Sequence, residues 1–133
     1  MLRTILSVIV GVVAWAVLVT AADFALRLAW PAYNTVHTAM AFDVPMMAAR
    51  LSESSLALVI AAAIAARVAP LSRAAPWALG LVLLAIFIPI HIGLWTKFPL
   101  WYHATFLASL VAISVAVGSL MRGKTAYTNS PNY

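Results

Sequence analysis

Six ionisable side chains carry most of the chemistry open to this chain: Asp23, Arg27, Arg50, Glu53, His91 and His103. The 133 residues hold only three carboxylates and three histidines, so each stands out against an apolar background. A carboxylate inside an apolar helix is costly to keep, and such acids mark sites for protons, ions or substrates. Glu53 is the best placed for that role. Desolvation and the Arg50 charge three residues earlier pull its ionisation in opposite directions. Asp23 and Arg27 stand i,i+4 with the acid N-terminal, and Arg50 and Glu53 stand i,i+3. Each pair is therefore expected to associate within its own helix.

His91 and His103 fall in the stretch PIHIGLWTKFPLWYH, residues 89–103. Two helices of one hairpin would each bring an imidazole to the same level, an arrangement that can ligate a b-type haem. No second histidine pair or other cofactor signature accompanies them, so the plainer expectation is two histidines wetted near a turn, with no cofactor. His37, Met40, Met46 and Met47, together with the hairpin histidines, would suit a soft ion such as Cu(I). Their spacing matches no compact metal motif and methionine is common filler in apolar segments, so no metal site is expected. The chain contains no HExxH, no GxSxG and no glycine-rich phosphate loop. Ser52, Ser54 and Ser55 flank Glu53, where serines near a helix start usually satisfy backbone groups. No enzymatic activity is expected. The absence of cysteine excludes disulfides, thiol catalysis and cysteine-ligated metals.

The elements that position these residues follow from composition. The chain is 65% hydrophobic and 8% charged, against about 25% charged for a soluble domain, so lipid must be its solvent. At about 20 residues per crossing, the length accommodates four spans. They are read at about 4–30, 46–68, 77–95 and 100–120, giving an all-α, four-helix transmembrane domain over 1–124 and a polar, disordered tail over 125–133. Residues 31–45 hold Asn34, His37 and Asp43 between two prolines, and are expected to form an ordered loop or a short interfacial helix. Val19-Thr20-Ala21 resembles a signal cleavage site, but the apolar segment resumes beyond it, so a retained first helix is expected. Pro89 removes the hydrogen bond to the Ala85 carbonyl and predicts a kink in the third span.

At 1.5 Å per residue, Arg3 to Asp23 spans about 30 Å, and Arg67 back to Arg50 about 26 Å. Arg73 to His91 and Arg122 back to His103 each span about 27–29 Å. With a hydrocarbon core about 30 Å thick, all four spans bring an ionisable group to one level, with Glu53 the deepest. Ionisable groups also collect at helix ends by default, where water begins. Arg3, Arg67, Arg73, Arg122 and Lys124 fall at one face, and Arg27, Arg50 and Lys97 at the other. That imbalance predicts a multi-pass protein of the cell's inner (plasma) membrane with both termini in the cytoplasm. The scattered basic residues give no reason to expect nucleic acid; the expected partners are the bilayer and a second membrane protein or copy of this chain. Glu53 begins a row with Ala57, Ala61, Ala65 and Ala69 that should face another helix, because small residues let backbones approach. The fourth span carries a similar row, Ala104, Ala108, Ala112 and Ala116, and the first carries Ser7 and Gly11. The bulky third span is expected to face lipid or fill gaps. Trp30, Trp77, Trp95, Trp101 and Tyr102 read as an interfacial aromatic belt, and Trp15 as a packing or lipid-facing residue.

Phe98-Pro99-Leu100-Trp101-Tyr102-His103 followed by ATFLASL, with Ala66-Arg67-Val68-Ala69-Pro70 closing the second span, is similar to uncharacterised small bacterial four-helix membrane proteins. The resemblance covers spans two to four and implies the fold, with no activity, substrate or cofactor. Small multidrug transporters have a comparable size, but their membrane acid lies in the core of the first span, where this chain has none before Asp23. Three functions remain open on these residues. One is a structural or accessory component packing against partner helices; another is a small transporter or proton-linked carrier using Glu53. Haem-based electron transfer through His91 and His103 is a third.

Overall fold

The computed structural model describes residues 1–128. It contains five helices: α1 (Leu2–Ala29), α2 (Pro31–His37), α3 (Val44–Val68), α4 (Ala74–Gly93) and α5 (Leu100–Thr128). The described residues contain no strand. Four of the helices are long and apolar enough to cross a membrane, and α3, which carries Arg50 and Glu53, is the least apolar of them. The fold is an all-helical bundle of four such helices. At 28 residues, α1 extends about 42 Å and overshoots the hydrocarbon core, whereas the 20 residues of α4 just match it.

Local sequence sets the breaks. Trp30 leaves the helical region because Pro31 follows, and Pro31 then opens α2 without needing an amide donor. Asp43 caps α3, its side chain accepting the Met46 amide at 2.9 Å. Pro70 lies just past the end of α3, and Ser72 Oγ accepts the Ala75 amide at 3.1 Å to start α4. Pro89 is carried inside α4, which continues to Gly93. α5 runs on through Thr128, past the expected end of the fourth span, so the first part of the expected tail is helical and residues 129–133 lie outside those described.

Around the bundle the order is α1, α3, α5, α4, with the main packing between α1 and α3, α4 and α5, and α3 and α5. The α1–α3 seam uses the small residues. Ala57, Ala61, Ala65 and Ala69 are all buried, facing Ser7, Gly11 and Trp15 of α1. Ser7 Oγ donates to the Ala65 carbonyl at 2.7 Å, and Trp15 Nε1 to the Ser54 carbonyl at 3.3 Å. On α5 the buried face is offset by two positions from the alanine row. Phe106, Leu110, Ser114 and Gly118 point inward, while Ala104, Ala108, Ala112 and Ala116 are exposed. α4 does both things expected of it: Leu79 and Leu83 fill the core, and Leu81, Ile86 and Ile90 stay outside. Ile9, Val13 and Val17 likewise line an exposed apolar face of α1, which water would not tolerate over such an area and lipid does.

The two ends of the bundle differ. At one end Thr4 and Ser72 share a hydrogen bond of 3.0 Å, and Arg122 donates to the Ser72 carbonyl at 3.1 Å. The start of α1, the α3–α4 turn and the last turns of α5 therefore gather there. At the other end α2 and the α4–α5 hairpin fold over the bundle as an aromatic cap. Tyr33 stacks on Phe42 at 5.0 Å, Phe42 on Phe98 at 6.1 Å and Phe98 on Tyr102 at 4.5 Å.

Candidate functional site

Beneath the aromatic cap, the ionisable residues of the expected layer separate into two groups. The first is organised by Asp23. Its Oδ1 accepts from the Tyr33 hydroxyl at 2.7 Å and from Arg50 at 3.2 Å, and its Oδ2 lies 3.0 Å from His37 Nε2. Arg50 also donates to the Tyr33 oxygen at 2.6 Å and rests its guanidinium over the Phe42 ring, 4.7 Å from the centroid. Tyr33 is completely buried. Burial, and after it the hydrogen bond to Asp23, holds its phenol well above the ordinary tyrosine range, so it serves as a permanent donor.

Both helix-local pairs are corrected by this arrangement. The ion pairs of Asp23 among the described residues are to Arg50 and His37. Arg27 instead donates to the Asn34 side chain at 2.9 Å, at the α1–α2 corner. Arg50 turns to Asp23, leaving Glu53 Oε2 enclosed with no hydrogen-bond partner. A buried polar atom left this way is uncommon, because it forfeits its solvation without a replacement.

Glu53 lies in the wall of a cavity of about 380 Å³. α1 contributes Trp15, Ala16, Val19, Thr20 and Asp23, and α3 contributes Arg50, Glu53 and Ser54. Phe87 of α4 and Tyr102 and Phe106 of α5 complete it, so all four long helices take part. Ala16 and Thr20 are exposed and place the mouth beside the middle of α1. Glu53 is nine residues into α3, about 13 Å from its start. The cavity thus combines apolar and aromatic walls with a few convergent polar groups at the depth of a membrane span, the usual make-up of a small-molecule site.

The second group is His91 with His103. Both are buried, and their Nδ1 atoms are 2.7 Å apart, so one imidazole donates to the other and the pair shares a proton between them. Trp95 stacks on His103 at 5.0 Å and Tyr102 on His91 at 6.2 Å, while His103 Nε2 has no partner. The pair is therefore packed among rings where the residues were expected to be wetted. In this arrangement the two Nδ1 atoms are engaged with each other and not with a metal. Neither histidine lines the cavity. Tyr102 is the link: it stacks on His91, its hydroxyl lies near the Arg50 guanidinium, and its ring forms cavity wall.

Tyr33, His37 and Tyr102 were not in the expected layer. Of the residues expected in the interfacial aromatic belt, Trp95 and Trp101 are exposed and Tyr102 is buried. His37 is engaged with Asp23, and Met46 and Met47 pack into the aromatic cap. No group of three or more His, Asp or Glu side chains placed to hold a metal ion occurs among the described residues. No family model, curated protein or solved structure matches this chain.

Proposed function

We propose that this chain is a small membrane carrier without bond-breaking chemistry, in which Glu53 takes up the proton or solute that is moved. The observation that supports it is the carboxylate itself. Glu53 sits in the wall of an open cavity within the span, with one oxygen lacking any partner, while the nearby arginine is committed to Asp23. Keeping an acid there without compensation is costly, and a transient partner that supplies the missing interaction explains its presence. In this reading the protein lies in the inner membrane of a bacterium, its termini cytoplasmic and its cavity nearer the outer face. Reconstituted into liposomes with an entrapped pH dye, the wild-type protein should dissipate an imposed pH gradient, and Glu53→Gln should slow that at least tenfold. An unchanged rate in the variant sinks the proposal.

A second reading, an accessory component packing on a partner helix, has one observation in its favour. Ala104, Ala108, Ala112 and Ala116 leave a small-residue row on the outside of α5. The other two small-residue faces are spent inside the bundle. If the protein purified in mild detergent is strictly monomeric and brings no partner from native membranes, this reading loses its support.

A further inference from the structure

We infer that the cavity between α1, α3, α4 and α5 binds a small amphipathic organic monocation, an ammonium head carrying an aryl or short alkyl group; the inference rests on reading that cavity as the carrier's ligand site. Charge decides the class. Asp23 and Arg50 face each other at 3.2 Å and cancel, and the guanidinium also donates to the Tyr33 oxygen and rests on the Phe42 face, with its Nε left without a partner. Glu53 is the carboxylate left over, so the fully ionised lining carries one net negative charge. An anion would meet Glu53 at close range and find the arginine already engaged. A neutral solute could hydrogen-bond Glu53 but would leave the net negative charge of the lining unbalanced. A cation satisfies it, and the rings of Trp15, Phe87, Tyr102 and Phe106 add the attraction of aromatic faces for an alkylammonium group.

Size and access agree with this class. About 380 Å³ is near the lower end of small-molecule pockets and accommodates one ring and a compact head group. The mouth beside Ala16 and Thr20 opens at the level of a span, where an amphipathic cation concentrates and an inorganic cation does not. The polar end of the cavity, at Asp23 and Arg50, lies on the side of the aromatic cap, and the aromatic walls lie deeper. A ligand with one charged and one apolar end matches that division.

The test compares two ions of nearly the same shape and opposite charge, benzyltrimethylammonium and phenylmethanesulfonate, by isothermal titration into the full-length protein in detergent. The cation should bind saturably and the anion should not. Glu53→Gln should weaken cation binding at least tenfold. Ala16→Trp, which fills the mouth from an exposed position, should do the same with the carboxylate intact, and this keeps the test decisive if the first variant folds poorly. Equal binding of the two ions, cation affinity unchanged in both variants, or no cation binding at all would overturn the inference. Absence of cation binding beside an intact Glu53-dependent proton flux removes only the cation assignment. Cation binding beside a flux indifferent to Glu53 removes only the carrier reading.

Discussion

Asp23 shows how a single carboxylate can organise the end of a bundle. It holds a tyrosine and a histidine of α2 and an arginine of α3, and so ties both helices to α1. None of those partners is within a helical turn of it in sequence. Spacing rules find partners on the same helix, which is why Arg27 looked like the natural mate, and they are blind to Tyr33, which arrives only because Pro31 turns the chain back. The Tyr33 hydroxyl is the keystone of the group, donating to Asp23 and accepting from Arg50. Tyr33→Phe should cost about 1–3 kcal/mol, since it leaves charged groups short of a partner. Its pH signature has a definite sign. The folded phenol titrates above the unfolded one, so its contribution is fully present below about pH 10 and is lost as pH rises beyond that, toward the folded value. Thermal unfolding in detergent between pH 8 and 11 should show the wild-type midpoint falling more steeply above pH 10 than that of Tyr33→Phe. Parallel curves would remove Tyr33 from this role.

Helix packing was legible where one residue type dominated a face, and ambiguous where two faces qualified. The α3 alanine row and Ser7 with Gly11 pack as their spacing implies. α5 offers two candidate faces two residues apart, and the chosen one carries Phe106 and Leu110, because large side chains supply the volume that fills a core already lined by alanines. Gly80 reveals how tightly this seam closes. A Cβ there would stand 2.8 Å from the Val111 Cα and 3.1 Å from the Leu110 carbonyl oxygen, so backbone and not a flexible side chain would have to yield. Gly118 does the same against Pro76, where an added Cβ would overlap the proline ring. Gly80→Val should therefore separate α4 from α5 and destabilise the bundle by about 1–3 kcal/mol. Gly93→Ala has open space around it and serves as the control. Unfolding midpoints that shift equally for the two substitutions would contradict the close α4–α5 approach.

For the whole molecule, composition alone was enough to fix the class, since so few charges leave no way to cover a water-facing surface. Depth counting also carried over, because a rise of 1.5 Å per residue holds for every helix and placed the polar groups at one end before any contact was known. What counting could not supply was the cavity, which exists because side chains of all four helices fail to meet, a property of no single segment. The structure brings the Arg3, Arg73 and Arg122 ends together through Ser72, and the proposed orientation, which rests on the count of basic residues, puts that end in the cytoplasm. The other end offers less of a counterweight to that proposal. Arg50 is partly buried and paired with Asp23, so as a free interfacial charge it offers less than its place in the count implied. A chain without cysteine allows a direct check. Leu71 and Thr96 are exposed at opposite ends, one in the α3–α4 turn and the other in the α4–α5 hairpin. In intact cells stripped of their outer membrane, Thr96→Cys should react with a membrane-impermeant maleimide at once, and Leu71→Cys only after the bilayer is permeabilised. The reverse order would turn the protein over in the membrane and put the cavity, with Glu53, nearer the cytoplasmic face, so that the carrier would load from inside the cell.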